Sequence, residues 1–109
     1  MTEYPVLLTR NAARDLERIY DYIAERDLPK KAHYVLGRLE AVIDGLRNSP
    51  TRGSIPKELL TLGIREYREV YFKPYRIVYR VMEEKVYVYL IADGRRDMQS
   101  LLARRLLED

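Results

Sequence analysis

The chain has 109 residues, 47% hydrophobic and 34% charged, with a formal net charge of +3, which fits one small globular domain, residues 1–109, with a single modest core. The absence of cysteine excludes disulfides, thiolate nucleophiles and Cys-based zinc sites. The lone histidine, His33, all but excludes a His-built metal centre or a serine–histidine triad, so no metal and no cofactor is expected.

The first β-type run is YPVLLT, Tyr4 to Thr9, with Pro5 at its start, where an edge strand tolerates proline. Thr9 or Asn11 can cap the helix that follows to Arg26, whose apolar stripe is Ala12, Leu16, Ile19 and Ile23. Leu28 and Pro29 break it. Asp27 is then placed to cap a second helix carrying proline in its first turn. The second stripe is Ala32, Leu36, Leu39, Ile43 and Leu46, widened by Val35 and Val42, and the short connection predicts an antiparallel helical hairpin. His33 sits with Gly37, Glu40 and Asp44 on a polar helix face, as a solvated side chain would.

Asn48 to Gly63 carries Pro50, Gly53, Pro56 and Gly63 and reads as a loop, with a short helical turn at Lys57–Leu60; it is the segment expected to be most mobile. The period then changes from about 3.6 to 2. Ile64–Phe72, Pro74–Met82 and Lys85–Ala92 are strand-like, joined at Lys73-Pro74 and Glu83-Glu84-Lys85, which predicts an antiparallel meander. In the middle run Tyr75, Ile77, Tyr79 and Val81 share one face and Arg76, Val78, Arg80 and Met82 the other. One face is expected to pack under the helices and the other to be partly open. The third run is apolar on both faces, as a central strand would be. Asp97 can cap a final helix, MQSLLARRLLED, whose Leu101, Leu102 and Leu106 need a surface to pack on. The ten tyrosines suit a half-buried sheet, with rings packed and hydroxyls wet. The order β-α-α-β-β-β-α makes an α+β fold: a small, twisted, largely antiparallel sheet with an N-terminal helical hairpin and a C-terminal helix.

No glycine-rich phosphate loop is present, and the Glu and Asp residues of the hairpin lie on its solvated sides. The arginines carry the chemistry. Arg68, Arg76, Arg80, Arg95 and Arg96 lie on or just after the meander, where they would converge near one open surface. Arginine keeps its charge at any working pH and grips phosphate or carboxylate with two parallel hydrogen bonds. A phosphate-cleaving site built without His would need such arginines to hold the phosphate, with Tyr67, Tyr71 or Lys73 to move protons. The structural alternative pairs these arginines with Glu66, Glu69, Asp93 and Asp97 to lock the fold.

LTRNAARDLERIYDYIAER, then SIPKELLTLGIREYREVYFKPYRIVYRV, then VYLIADGRRDMQSLLARRLL, form an ordered set covering nearly the whole chain. It resembles the RelE/ParE superfamily of bacterial toxins from type II toxin–antitoxin systems, the most specific part being GIREYREV joined to PYRIVYRV and IADGRRD. The resemblance implies a small antiparallel sheet with a helical hairpin, and a cognate antitoxin that wraps the toxin. It implies one of two targets. RelE-like members cut mRNA in the ribosomal A site, using basic residues on the sheet and an aromatic residue or His near the carboxy end. On that reading Arg68 and Arg76 match the arginines that grip the phosphate. ParE-like members poison DNA gyrase. DMQSLLARRLLED contains neither Tyr nor His, which is closer to ParE and to a toxin that acts by binding rather than catalysis. Arg68, Arg76, Arg80, Arg95 and Arg96 are then the expected target- or antitoxin-binding residues. A toxin dimer or a toxin–antitoxin hetero-oligomer is compatible with this reading. With no signal peptide and no apolar run approaching the roughly 18 residues of a membrane span, the expected location is the cytoplasm.

Overall fold

The computed structural model describes residues 3–108. In chain order the elements are β1 (Val6–Leu8), α1 (Arg10–Arg26), α2 (Pro29–Asp44), a 3-10 turn (Gly45–Arg47), α3 (Lys57–Leu60), β2 (Tyr67–Phe72), β3 (Tyr75–Met82), β4 (Lys85–Asp93) and α4 (Met98–Glu108). The expected last helical residue, Asp109, lies outside the described residues.

Local chemistry explains most element boundaries. Thr9 Oγ1 accepts the Ala12 N–H at 3.1 Å and opens α1. Asp97 receives the Ser100 N–H and hydroxyl at 3.2 and 2.8 Å and opens α4. Asp27 does not cap α2 as its position suggested. The N-cap is Leu28, without a side-chain bond, and the Asp27 carboxylate accepts the Leu28 N–H and pairs with Lys31. Proline at the first position of α2 makes this tolerable, because its missing N–H removes one unmet donor.

The sheet runs β1-β4-β3-β2. The meander β2-β3-β4 is antiparallel, whereas β1 lies parallel to β4, with Val6, Leu7 and Leu8 opposite Val86, Tyr87 and Val88. β4 is therefore the central strand that its continuous apolar run suggested. The β3–β4 connection is Glu83-Glu84, at φ 52° and 62°, the doubly left-handed conformation of a tight hairpin turn.

β4 reads as apolar on both faces because it holds a bulge. Val78 lies opposite Leu90 and Tyr79 opposite Val88, so Tyr89 is an extra residue. Before it Val86 and Val88 face the helical hairpin; after it Leu90 and Ala92 face the other way. The hairpin-side core holds Leu39, Leu46, Ile77, Tyr79 and Ile91, with Ala12 and Ala32 fully buried where α1 and α2 pack. The far face is partly covered: α3 and α4 bury Leu59, Val78, Leu90, Met98 and Leu102, while Tyr67, Arg80 and Met82 stay only half-buried.

The Asn48–Gly63 connection, expected to be mobile, is tied down along its length. The Gly53 N–H donates to the buried Tyr79 hydroxyl at 3.0 Å, Ser54 and Glu69 exchange backbone hydrogen bonds at 3.2 and 2.8 Å, and Arg68 donates to the Gly53 carbonyl at 2.7 Å. Only glycine fits at 53, since a Cβ there would lie 2.5 Å from the Glu69 carbonyl oxygen and 2.8 Å from the Tyr79 hydroxyl. Among the described residues no helix is long and apolar enough to cross a membrane.

Candidate functional site

The register separates the arginines that the sequence grouped. Arg68 lies opposite Tyr79 and Arg76 opposite Tyr71, so the period of two sends Arg68 to the hairpin side and Arg76 to the α3–α4 side. They do not form a joint phosphate grip. Arg68 instead holds the Thr51 and Gly53 carbonyls at 3.3 and 2.7 Å.

Arg76 is 6% exposed and fully engaged. It grips Glu58 with two parallel bonds, at 2.9 and 2.7 Å, and donates from Nε to Glu69 at 2.7 Å. The Tyr71 hydroxyl donates to the second Glu69 oxygen at 2.6 Å. With two carboxylates to one guanidinium, the cluster is net negative and repels phosphate. The Arg76 hydrogen bonds hold the Glu58 carboxyl below the ordinary glutamate range. Burial, then the bond to Glu69, raises the Tyr71 phenol, which makes it a poorer source of phenolate. Arg80 lies on the same face as Arg76, its guanidinium 5.6 Å from the Tyr67 ring centre, and Tyr67 meets Tyr89 edge-on at 5.5 Å. Lys73 is exposed in the β2–β3 turn.

Arg95 and Arg96 occupy a different place. Both are exposed on the loop after β4, where Arg95 forms a bidentate pair with Asp93 at 2.9 and 2.6 Å. That pair, with the Arg95 N–H, holds the Asp93 carboxyl below its ordinary value. They line a cleft of about 780 Å³ between α1, the carboxyl end of β4 and α4, with Arg18 and Tyr22 on one wall, Arg104 and Arg105 on another and Tyr75 beside them.

An ion pair forms part of this lining. Asp15, 7% exposed on α1, accepts two hydrogen bonds from Arg105 of α4 at 2.8 and 3.1 Å and the Ile91 N–H at 2.9 Å. Arg105 also donates to the Tyr89 carbonyl at 2.8 Å. β1 is paired with β4 only as far as Val88, because the chain leaves the sheet for α1. The Asp15 carboxylate thus takes the place of a strand partner at Ile91. No local pattern in the sequence marks Asp15 or Arg105. Arg18, Tyr22 and Arg26 were missed from sequence, although their helical spacing is the signal that could have found them.

Among the described residues no group of three or more His, Cys, Asp or Glu could hold a metal ion. A profile described as the ParE toxin of type II toxin–antitoxin systems, parDE, matches residues 6–98. Toxin ParE3 of Caulobacter vibrioides is 30% identical over 100 residues, covering 92% of this chain and 96% of that protein. Among solved structures, the chromosomal ParDE system of P. aeruginosa matches with a TM-score of 0.71 at 22% identity, covering 84% of this chain and 96% of that one. The toxin–antitoxin complex RelBE2 of Mycobacterium tuberculosis matches with a TM-score of 0.61 at 23% identity, covering 85% and 93%. These last two share the fold. The chain belongs to the ParE family of type II toxin–antitoxin toxins.

Proposed function

We propose that this ParE-family toxin poisons DNA gyrase by binding, so that cleaved DNA accumulates and replication stops, and that a cognate antitoxin neutralises it in the cytoplasm. The observation that carries this over ribosome-dependent mRNA cleavage is the fate of Arg76. Its guanidinium is saturated by Glu58 and Glu69 inside a net-negative, buried cluster, and Arg68 points away from it into the Asn48–Gly63 loop. A phosphodiester brought to Arg76 would meet two carboxylates and a guanidinium whose hydrogen bonds are already taken. Arg95 and Arg96, exposed at the cleft, are the members of the expected set best presented to a partner. The antitoxin has a second surface available, the groove of about 490 Å³ between α1 and α2, whose Ala13, Leu16 and Leu36 suit apolar anchors.

Incubation of the purified toxin with gyrase and supercoiled DNA should trap linear DNA, and Arg95→Ala with Arg96→Ala should diminish that trapping while leaving the fold intact. Failure to trap linear DNA would sink the gyrase reading. A-site cleavage of mRNA on translating ribosomes would replace it with the RelE-like one.

A further inference from the structure

We propose that the cleft between α1, the carboxyl end of β4 and α4 binds the sugar–phosphate backbone of DNA. This rests on the cleft being the working surface, as proposed above, and adds the chemical class of what it holds. The charge is concentrated there. The lining carries Arg18, Arg95, Arg96, Arg104 and Arg105 against Asp15 and Asp93, five cations less two anions, or +3. That equals the formal net charge of the whole chain, so the residues outside the cleft sum to zero.

Both carboxylates are already neutralised, Asp15 by Arg105 and Asp93 by Arg95. Among the described residues the side chains of Arg18, Arg96 and Arg104 make no hydrogen bond or ion pair, and all three are exposed. They are uncommitted bidentate donors around one concavity, the geometry phosphate oxygens require.

The spacing also suits a repeating anion. Arg18 of the lining and Arg26 outside it are eight residues apart on α1, a rise of about 12 Å, near two repeats of a sugar–phosphate chain, with Tyr22 between them. Tyr22 is 60% exposed and backed by the Arg26 guanidinium 4.0 Å from its ring centre, a platform on which an unstacked base could lie. An acidic peptide is the competing occupant. Leu90, Ile91 and Ala92 in the floor are 1%, 2% and 3% exposed, but Ile19 and Leu101 in the lining are half-buried and could meet an apolar anchor. The DNA reading therefore rests on the arginines and the exposed Tyr22 ring.

The test is fluorescence anisotropy of a short fluorescein-labelled DNA duplex, and of its single strand, over a salt series. The triple variant Arg18→Gln, Arg96→Gln, Arg104→Gln is compared with a charge-matched control, Lys30→Gln, Lys57→Gln, Lys85→Gln, outside the cleft. The cleft variant should bind at least about tenfold more weakly at low salt and lose about 2–3 from the log–log salt slope, while the control keeps most of both. If the triple variant melts early, Arg96→Gln alone, on an exposed loop, should still lower the slope by about one. Three results overturn the assignment: no DNA binding by the wild type at low salt, equal losses in both triple variants, or tighter cleft-dependent binding of a labelled polyglutamate peptide. Gyrase trapping by the wild type separates the two readings. Trapping by a wild type that binds no DNA itself overturns the cleft assignment alone, and cleft-dependent DNA binding without trapping removes the gyrase target alone.

Discussion

Replacing Asp15 with alanine removes a side chain that, with Arg105, ties α1, β4 and α4 together. It leaves the Ile91 N–H, which Asp15 accepts at 2.9 Å, buried without a partner, at a cost of about 1–3 kcal/mol. It also strips the Asp15 counter-ion from Arg105, whose side chain is 15% exposed and also donates to the Tyr89 carbonyl. Breaking a largely buried pair from one side costs about 3–5 kcal/mol, and that carbonyl tempers it, so we expect about 3–4 kcal/mol for Asp15→Ala. In a domain of this size that lowers the melting midpoint by about 15 °C. Asp15→Asn keeps an acceptor for Ile91 while losing the charge, and should cost about half as much. Urea unfolding followed by circular dichroism measures both, and a double-mutant cycle with Arg105→Met should return a coupling of about 2 kcal/mol. An Asp15→Ala cost below about 1 kcal/mol, or a coupling near zero, would show that water reaches the Ile91 amide and that the pair holds nothing.

Three further outcomes follow from single features of the fold. The Glu58 carboxyl is held down by Arg76, so its contribution is present above the ordinary glutamate value of 4.5 and is lost as pH falls through the lower folded-state value. Urea midpoints measured from neutral to strongly acid pH should therefore fall further for the wild type than for Glu58→Gln, which does not titrate there. Glu83 and Glu84 both adopt positive φ, so Glu83→Asn with Glu84→Gly should stabilise the β3–β4 hairpin by about 1 kcal/mol, read as a higher melting midpoint. Gly53→Ala drives a Cβ to 2.5 Å from the Glu69 carbonyl oxygen and should destabilise by about 2 kcal/mol or more, with earlier proteolysis in the Asn48–Gly63 loop.

Periodicity and capping chemistry made the elements legible in the sequence because they act over a few residues. The stripes Ala12–Leu16–Ile19–Ile23 and Ala32–Leu36–Leu39–Ile43 became α1 and α2, Lys57–Leu60 became α3, and Thr9 and Asp97 cap as their positions implied. The ordered motifs through IADGRRD also carried the family, which the matching profile and relative bear out. The exposed position of Arg95 and Arg96 was legible too, since they follow a strand end and an Asp-Gly turn.

Which charge meets which was decided only by tertiary structure. Arg76 found Glu58 at a separation of 18 residues, and Asp15 found Arg105 at 90. Nothing in a local window distinguishes a carboxylate that will be buried and paired from one that stays solvated. The parallel pairing of β1 with β4 and the bulge at Tyr89 are likewise set by packing between distant segments. The bulge turns an apparently two-faced apolar run into a strand serving two cores, and register sends Arg68 and Arg76 to opposite faces. The sequence alone determined the elements, their order and the family, because local periodicity encodes them. The fold decided that Arg68 and Arg76 stabilise structure and gathered Arg18, Arg96 and Arg104 around one cleft, because only long-range packing fixes where a guanidinium ends.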